Sequence, residues 1–187
     1  MEKRENQRVA LTKRLLLEAL MQMLKKKDVN EISVTELCRE AGINRTTFYK
    51  HYNTPNDILT ELAQKHVMKL VEIARRTQGR TPAERIEVGC EYLFGEAESV
   101  QLLMRNHVDE IIPRAVFQEL AEIMPRNLLM DAQLDGTETT LAITYIANGC
   151  YFLIRRWLLQ DIDKTPREIA QLIFKLSTSG WLPLQEG

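Results

Sequence analysis

Apolar residues recur along this chain at intervals of three and four almost from end to end, and no stretch alternates for long as a strand would. An all-α fold is therefore expected. Leu16, Ala19, Leu20, Met23 and Leu24 share one face of a first helix over about Gln7 to Lys26. Val34, Leu37, Cys38 and Ala41 form a shorter stripe, opened by Ser33-Val34-Thr35-Glu36, a capping box that satisfies free N–H groups at a helix start. Gly42 then stands where a helix end favours a left-handed residue. Asn44 is a good N-cap for a next helix from Arg45, on which only Phe48 and Tyr52 need face inward. Two short helices joined by a tight turn make a helix-turn-helix.

Thr54-Pro55-Asn56-Asp57, Thr81-Pro82-Ala83-Glu84 and Thr165-Pro166-Arg167-Glu168 repeat one device: a capping threonine, proline at the first helical position and an acid at the third. They predict a linking helix over about 54–77, a helix over about Pro82 to Glu96 and a last one over about 166–179. Between these, helices are expected over about Ser99 to Asn106, Pro113 to Ala132 and Thr137 to Gln160. The division that follows is a three-helix helix-turn-helix head, residues 1–53, and a helical regulatory body, residues 54–187.

The outer face of the second short helix is polar throughout: Arg45, Thr46, Thr47, Tyr49, Lys50 and His51. Such a surface suits a DNA groove, where the second helix of this motif reads base edges while flanking groups hold phosphates. Charge sharpens the picture. The net charge is −1, but residues 1–53 hold 11 Lys/Arg against 7 Asp/Glu, so the basic end is the helix-turn-helix end. Lys3, Arg4, Arg8, Lys13, Arg14 and the Lys25-Lys26-Lys27 run all lie there, as a phosphate-binding surface requires; lysines closing a helix also simply complement its dipole.

The helix over about 137–160 is apolar nearly all round, so it must be covered nearly all round. Packing against a second copy achieves this in so short a chain, and a homodimer is expected through Ala142, Tyr145, Ile146, Gly149, Leu153 and Trp157, with Ile169, Leu172, Ile173 and Leu176 of the last helix. The alternative is that this helix is the central core of a monomer. A symmetric dimer would present two recognition helices to an inverted repeat, with half-sites about 34 Å apart or a multiple of that.

Cys38, Cys90 and Cys150 are far apart and lie in apolar helical stretches, and read as reduced core residues of a cytoplasmic protein rather than metal ligands or a disulfide framework. The charged N-terminus lacks an apolar leader segment. The most apolar segment, Leu141 to Leu159, is interrupted by Asn148 and Arg155-Arg156, and no membrane partner is expected. No cofactor or metal site is expected, and no catalytic residue: His51, His66 and His107 lack metal spacing, and no nucleophile motif or phosphate loop is present. Asp109 and Glu110 are sequence neighbours, which do not share a helix face.

From about Leu15 to Leu62, LLLEAL, ISVTELCREAGINRTTFYKHY and DILTEL follow in order the head of the TetR/AcrR family of bacterial one-component transcriptional regulators, which this chain resembles. Ala41-Gly42-Ile43, Phe48-Tyr49 and His51-Tyr52 are the most specific elements. NGCYFLIRRWLLQD with TPREIAQLIFKL is similar to the C-terminal end of one branch; residues 80–135 carry no such resemblance. The resemblance implies DNA contacts at Ser33 and Thr35 and at Arg45, Thr46, Thr47, Tyr49, Lys50 and His51. By chemistry, Arg45 can pair with guanine O6 and N7, the threonines meet a thymine methyl or a phosphate, and Tyr49 and His51 donate to phosphates. A lysine usual in the family at the start of the linking helix is replaced by Pro55.

The resemblance also implies a ligand-relieved repressor. A small-molecule effector binds the body, moves the linking helix and alters head separation, so that effector and DNA weaken each other's binding by one factor. Polar groups amid the apolar helices, Tyr92, Asn106, His107, Tyr145, Asn148 and Tyr151, are the candidates for an effector pocket. Two other readings fit the residues: a DNA-binding or architectural protein without a ligand, and a dimeric helical scaffold for protein partners. The scaffold reading calls for apolar anchors on the outer face of the second helix, where Arg45, Thr46, Thr47 and Lys50 stand.

Overall fold

The computed structural model describes residues 2–106, 135–160 and 162–179. His107 and the helix expected over about Pro113 to Ala132 lie outside the described residues. Among the described residues the regular elements are all helical. They are α1 (Glu2–Leu24), a 3-10 segment (Val29–Glu31), α2 (Val34–Ala41), α3 (Arg45–Phe48), α4 (Pro55–Arg76), α5 (Pro82–Gly95), α6 (Ala97–Arg105), α7 (Gly136–Leu159) and α8 (Pro166–Ser179).

Local chemistry sets most boundaries. The Ser33 hydroxyl accepts from the Glu36 N–H at 3.2 Å while the Glu36 carboxylate accepts from the Ser33 N–H at 3.1 Å, the reciprocal cap read from the sequence. The same arrangement joins Thr81 with Glu84, Asp135 with Glu138 and Thr165 with Glu168. Asp28 and Glu31 form a further one at the 3-10 segment, which hydrophobic periodicity does not reveal. α1 starts earlier than its apolar stripe suggests, because no glycine or proline interrupts the polar residues before Gln7. Gly42 closes α2 at φ 65° and ψ 27°, its N–H reaching the Arg39 and Cys38 carbonyls.

The second helix of the helix-turn-helix is shorter than expected. α-Type bonding covers Arg45–Phe48, after which Lys50 N–H bonds Thr47 O at 3.3 Å and His51 N–H bonds Phe48 O at 2.9 Å. These tighter i to i+3 bonds carry a continuous turn through His51, so all the expected outer-face residues are still presented.

Two apolar clusters divide the interior. The first gathers Leu16, Leu20, Leu37, Cys38, Phe48 and Tyr52 with Ile58, Leu59, Leu62 and Ala63 of α4 and Leu102 and Leu103 of α6. The second gathers Cys90, Leu93, Val100, Met104, Tyr151, Trp157, Leu158, Ile169 and Ile173, with Leu70 packed against it. α4 and α6 belong to both. The second cluster is tightened by the Trp157 indole N–H, which donates to Lys164 O at 2.9 Å, and by stacking of Trp157 on Phe94 with ring centroids 5.5 Å apart.

Glu61 ties the first cluster to its surface. Burial opposes its ionisation, but donation from Lys13 at 2.7 Å, from Lys65 at 3.1 Å and from the Tyr52 hydroxyl at 3.0 Å prevails and brings its carboxyl down to about 2. Tyr52 is correspondingly harder to ionise, through burial first and the Glu61 bond second.

Two outcomes follow from this geometry. Among the described residues nothing beyond its chain neighbours lies within 4 Å of where a Cβ on Gly42 would stand, so Gly42→Ala is opposed by its backbone angle and is expected to lower unfolding free energy by about 1–2 kcal/mol in urea titrations. Because Glu61 stays ionised below its ordinary 4.5, its contribution is complete above that pH and is lost as pH falls toward 2. In melting curves, Glu61→Gln should lie below wild type at pH 7 and converge with it at acid pH; a constant gap would contradict this.

Candidate nucleic-acid interface

Helix α3 is held from beneath by its rings. Phe48 is fully buried and Tyr52 nearly so, with ring centroids 5.9 Å apart. Lys13 of α1 lies 5.4 Å from the Tyr52 ring and shares its acceptor, Glu61. The Asn44 side chain accepts from the Thr46 N–H at 2.8 Å, fixing the first turn. With Phe48 and Tyr52 pointing inward, Arg45, Thr46, Tyr49 and Lys50 are exposed and Thr47 and His51 half-buried. Tyr49 leans edge-on against Phe48 at 5.5 Å, and the Arg45 guanidinium stands 6.0 Å from the Tyr49 ring centroid. Ser33 and Thr35 are exposed at the start of α2, the Ser33 hydroxyl being engaged with Glu36.

The basic surface is narrower than the count of cations suggests. Lys13 pairs with Glu61, Arg14 with Glu18 at 3.6 Å, Lys25 with Glu98 at 2.8 Å and Lys27 with Glu36 at 3.1 Å. The Lys27 and Ser33 bonds pull the Glu36 carboxyl down to about 2, the Ser33 N–H contributing most. Among the described residues of the head Arg8, Lys26, Arg39, Arg45 and Lys50 enter no ion pair, and two of these, Arg45 and Lys50, stand exposed at α3. Pro55 is buried at the first position of α4, where Asp57 accepts from the Asn53 and Thr54 N–H groups at 2.7 and 3.1 Å.

Of the six residues considered for an effector pocket, five are described, and of these only Tyr92 and Tyr151 share a cluster. Asn106 is turned toward the head: its Oδ1 accepts from the Val29 N–H at 3.1 Å and its Nδ2 donates to Leu102 O at 2.8 Å. Its amide is thus committed to a junction, because the 3-10 segment offers a free N–H there. Tyr145 is 79% exposed, and exposed Asn148 bonds back to Thr144 O of its own helix at 2.8 Å. Tyr151 is buried in the second cluster.

Tyr92 joins a polar group that periodicity could not reveal. Its hydroxyl lies 2.7 Å from His66 Nδ1, and His66 Nε2 lies 3.0 Å from Ser99 Oγ. Ser99 Oγ donates to Glu96 O at 3.0 Å, so it accepts from Nε2–H, and Tyr92 donates to Nδ1. Burial holds the imidazole below its ordinary value, with Glu96 opposing weakly. His66 therefore serves as a neutral brace among α4, α5 and α6.

Of the residues expected at a dimer face, Ala142, Ile146, Trp157, Ile169 and Ile173 are buried within the chain and Leu153 is half-buried; their side chains are spent on its own interior. Tyr145, Gly149, Leu172 and Leu176 are exposed. Leu141 and Phe152, which the sequence reading passed over, join them, 64% and 60% exposed. Leu141, Tyr145, Gly149 and Phe152 follow at helical spacing, one apolar stripe along α7. Cys38 and Cys90 are buried and Cys150 half-buried, all as free thiols, and burial pushes Cys90 up to about 12. Among the described residues no helix is long and apolar enough to cross a membrane.

A TetR C-terminal family model, described as a transcriptional regulator C-terminal region, matches residues 80–179, more than half of the chain. The chain belongs to the TetR family of transcriptional regulators. The match includes residues 80–135, where no resemblance was legible. Two curated HTH-type transcriptional regulators are similar to this TetR-family chain. One from Haemophilus influenzae is 26% identical over 51% of this chain and 50% of its own length; YxbF from Bacillus subtilis is 29% identical over 38% of this chain and 19% of its own. The chain thus spans half or less of the curated relatives it matches. In fold it resembles a TetR regulator from Streptococcus agalactiae, with TM-score 0.69, 16% identity and 95% and 99% of the two chains covered. It also resembles the Thermus thermophilus repressor FadR, solved with lauroyl-CoA, with TM-score 0.62, 21% identity and 94% and 100% covered.

Proposed function

We propose that this TetR-family regulator is a repressor that binds an inverted-repeat operator as a homodimer and releases it on binding a small molecule. The division into a DNA-binding head, residues 1–53, and a regulatory body, residues 54–187, belongs to this proposal. The observation that carries it is the α3 surface, where Arg45, Thr46, Tyr49 and Lys50 stand exposed around two rings that are fully or almost fully buried. A helix face rich in donors and free of aliphatic anchors suits phosphates and base edges better than a protein partner. In this reading Arg45 reads a base, Thr46 and Thr47 meet a thymine methyl or a phosphate, and Tyr49, Lys50 and His51 hold phosphates, with Ser33 and Thr35 flanking.

The exposed stripe of α7, with Leu172 and Leu176 of α8, supports the dimer. Exposed apolar side chains in one row mark an association surface, and among the described residues no atom outside the chain neighbours and backbone of its own helix lies within 4 Å of where a Gly149 Cβ would be, so a second backbone can approach closely. Effector release rests on family membership and on a neighbour of the same fold that holds a ligand; Tyr92 and Tyr151, inside the body, are the polar groups best placed to sense one.

Fluorescence anisotropy with DNA flanking the gene tests the reading. Selective binding should weaken steeply with salt and be lost in Tyr49→Ala with Lys50→Ala, while Lys50→Ala alone should reduce the salt slope by about 1 per half-site. Equal weak binding to a scrambled duplex at every salt concentration would count against it. For the dimer, Tyr145→Glu with Leu176→Glu should convert a two-chain species to one in sedimentation velocity; an unchanged two-chain species would place the interface elsewhere.

A further inference from the structure

α6 shows different faces to the two clusters. Leu102 and Leu103 enter the first, and Val100 and Met104 the second. Toward the body, Gln101 donates to Leu158 O at 2.6 Å, and Arg155 of α7 donates to Met104 O at 3.4 Å. Toward the head, Glu98 pairs with Lys25 at the end of the α1 turn, and Asn106 accepts from the Val29 N–H. Among the described residues the head is therefore joined to the body by two struts, covalently by α4 and non-covalently by α6, with the His66–Ser99 bond bracing one against the other.

The Asn106 bond is directional. Val29 opens the 3-10 segment, so its N–H has no partner within that segment. The cap residue Asp28 is already occupied by the Asn30 N–H and Nδ2. With the amide's other end fixed on Leu102 O, a flipped Asn106 would set donor against donor and acceptor against acceptor. Val29 is 5% exposed and packs in the first cluster, and its segment leads directly into α2. The Asn106–Val29 bond thus links the α6 end directly to the segment that precedes α2, beside the packing of that segment on α4.

We infer that Asn106 is a positioning residue that fixes the angle of each head on the body and so sets the half-site spacing the dimer accepts. This rests on the DNA-binding reading above. With α4 alone, a head can swing about one strut; with α6 latched, its angle is determined. Each added base pair between half-sites shifts one by about 3.4 Å and turns it by about 35°, so spacing reads head angle directly.

The test compares the full-length wild type and Asn106→Leu, which keeps the branched shape and removes both bonds. Affinity is measured on the site wild type selects from random DNA and on versions with one base pair added or removed, and amide exchange is followed over residues 25–36. Wild type should show a sharp optimum. In Asn106→Leu the preference for that optimum over its neighbours should fall by about fivefold or more, within the ordinary range of coupling between sites, and exchange at Val29 should quicken. A role confined to stability would lower the melting temperature and leave the spacing profile intact. Should Asn106→Leu not fold, Asn106→Ala serves in its place with the same expectation. A variant with faster Val29 exchange and an unchanged sharp optimum would overturn the inference while leaving the DNA-binding reading intact. A wild type that selects no DNA at all would overturn both.

Discussion

The insertion of Phe48 and Tyr52 beneath α3 is the constraint on which the proposed DNA-reading surface depends. A helix of this length has no stability of its own, since isolated helices below about 12 residues are marginal in water. Its orientation is therefore imposed by packing: Phe48 sits in the apolar centre of the head, and Tyr52 is drawn down by its bond to Glu61, which Lys13 shares. Once these rings are fixed, the remaining side chains have only the outer face to occupy. The polar character of that face is the complement of the apolar anchors.

A second level of order comes from the sharing of α4 and α6 between the two clusters. Were the clusters joined by α4 alone, head and body would move almost independently. Instead α6 contributes to both, and the buried His66 brace links α4, α5 and α6 with every polar atom of the ring satisfied. Such a network favours one arrangement over nearby alternatives, because a broken bond in a buried setting is costly. Ligand control of DNA binding, the function proposed for this regulator, needs a structure of this kind: stiff enough to transmit a displacement, yet joined through few bonds that can be exchanged.

Elements governed by local chemistry were legible in the sequence. The capping boxes at Ser33, Thr81 and Thr165, the left-handed Gly42 and the prolines opening α4, α5 and α8 state their structure in consecutive residues. Periodicity also identified the buried faces of α1 and α2. Features made by side chains distant in sequence were not legible. Asn106 and Val29 are separated by 77 residues, and His66 meets Ser99 across 33; nothing local distinguishes a latch or brace from a pocket residue. The same limit explains the division of α7. Its apolar positions nearly encircle the helix, so the pattern predicts burial all round but does not say which residues the chain itself covers. The structure assigns Ala142, Ile146 and Trp157 to the interior and leaves Leu141, Tyr145 and Phe152 outside. Ion pairing likewise changes the reading of the head, since Lys25 and Lys27, adjacent in a basic run, turn to Glu98 and Glu36.

In the proposed function two such heads read DNA together. Selection from a random duplex library by the purified full-length chain, followed by sequencing, tests it most directly. The account predicts enrichment of an inverted repeat whose half-sites lie a whole number of helical turns apart, about 10–10.5 base pairs or a multiple. Absence of enrichment over unselected DNA, under low-salt conditions that favour phosphate contacts, would contradict it.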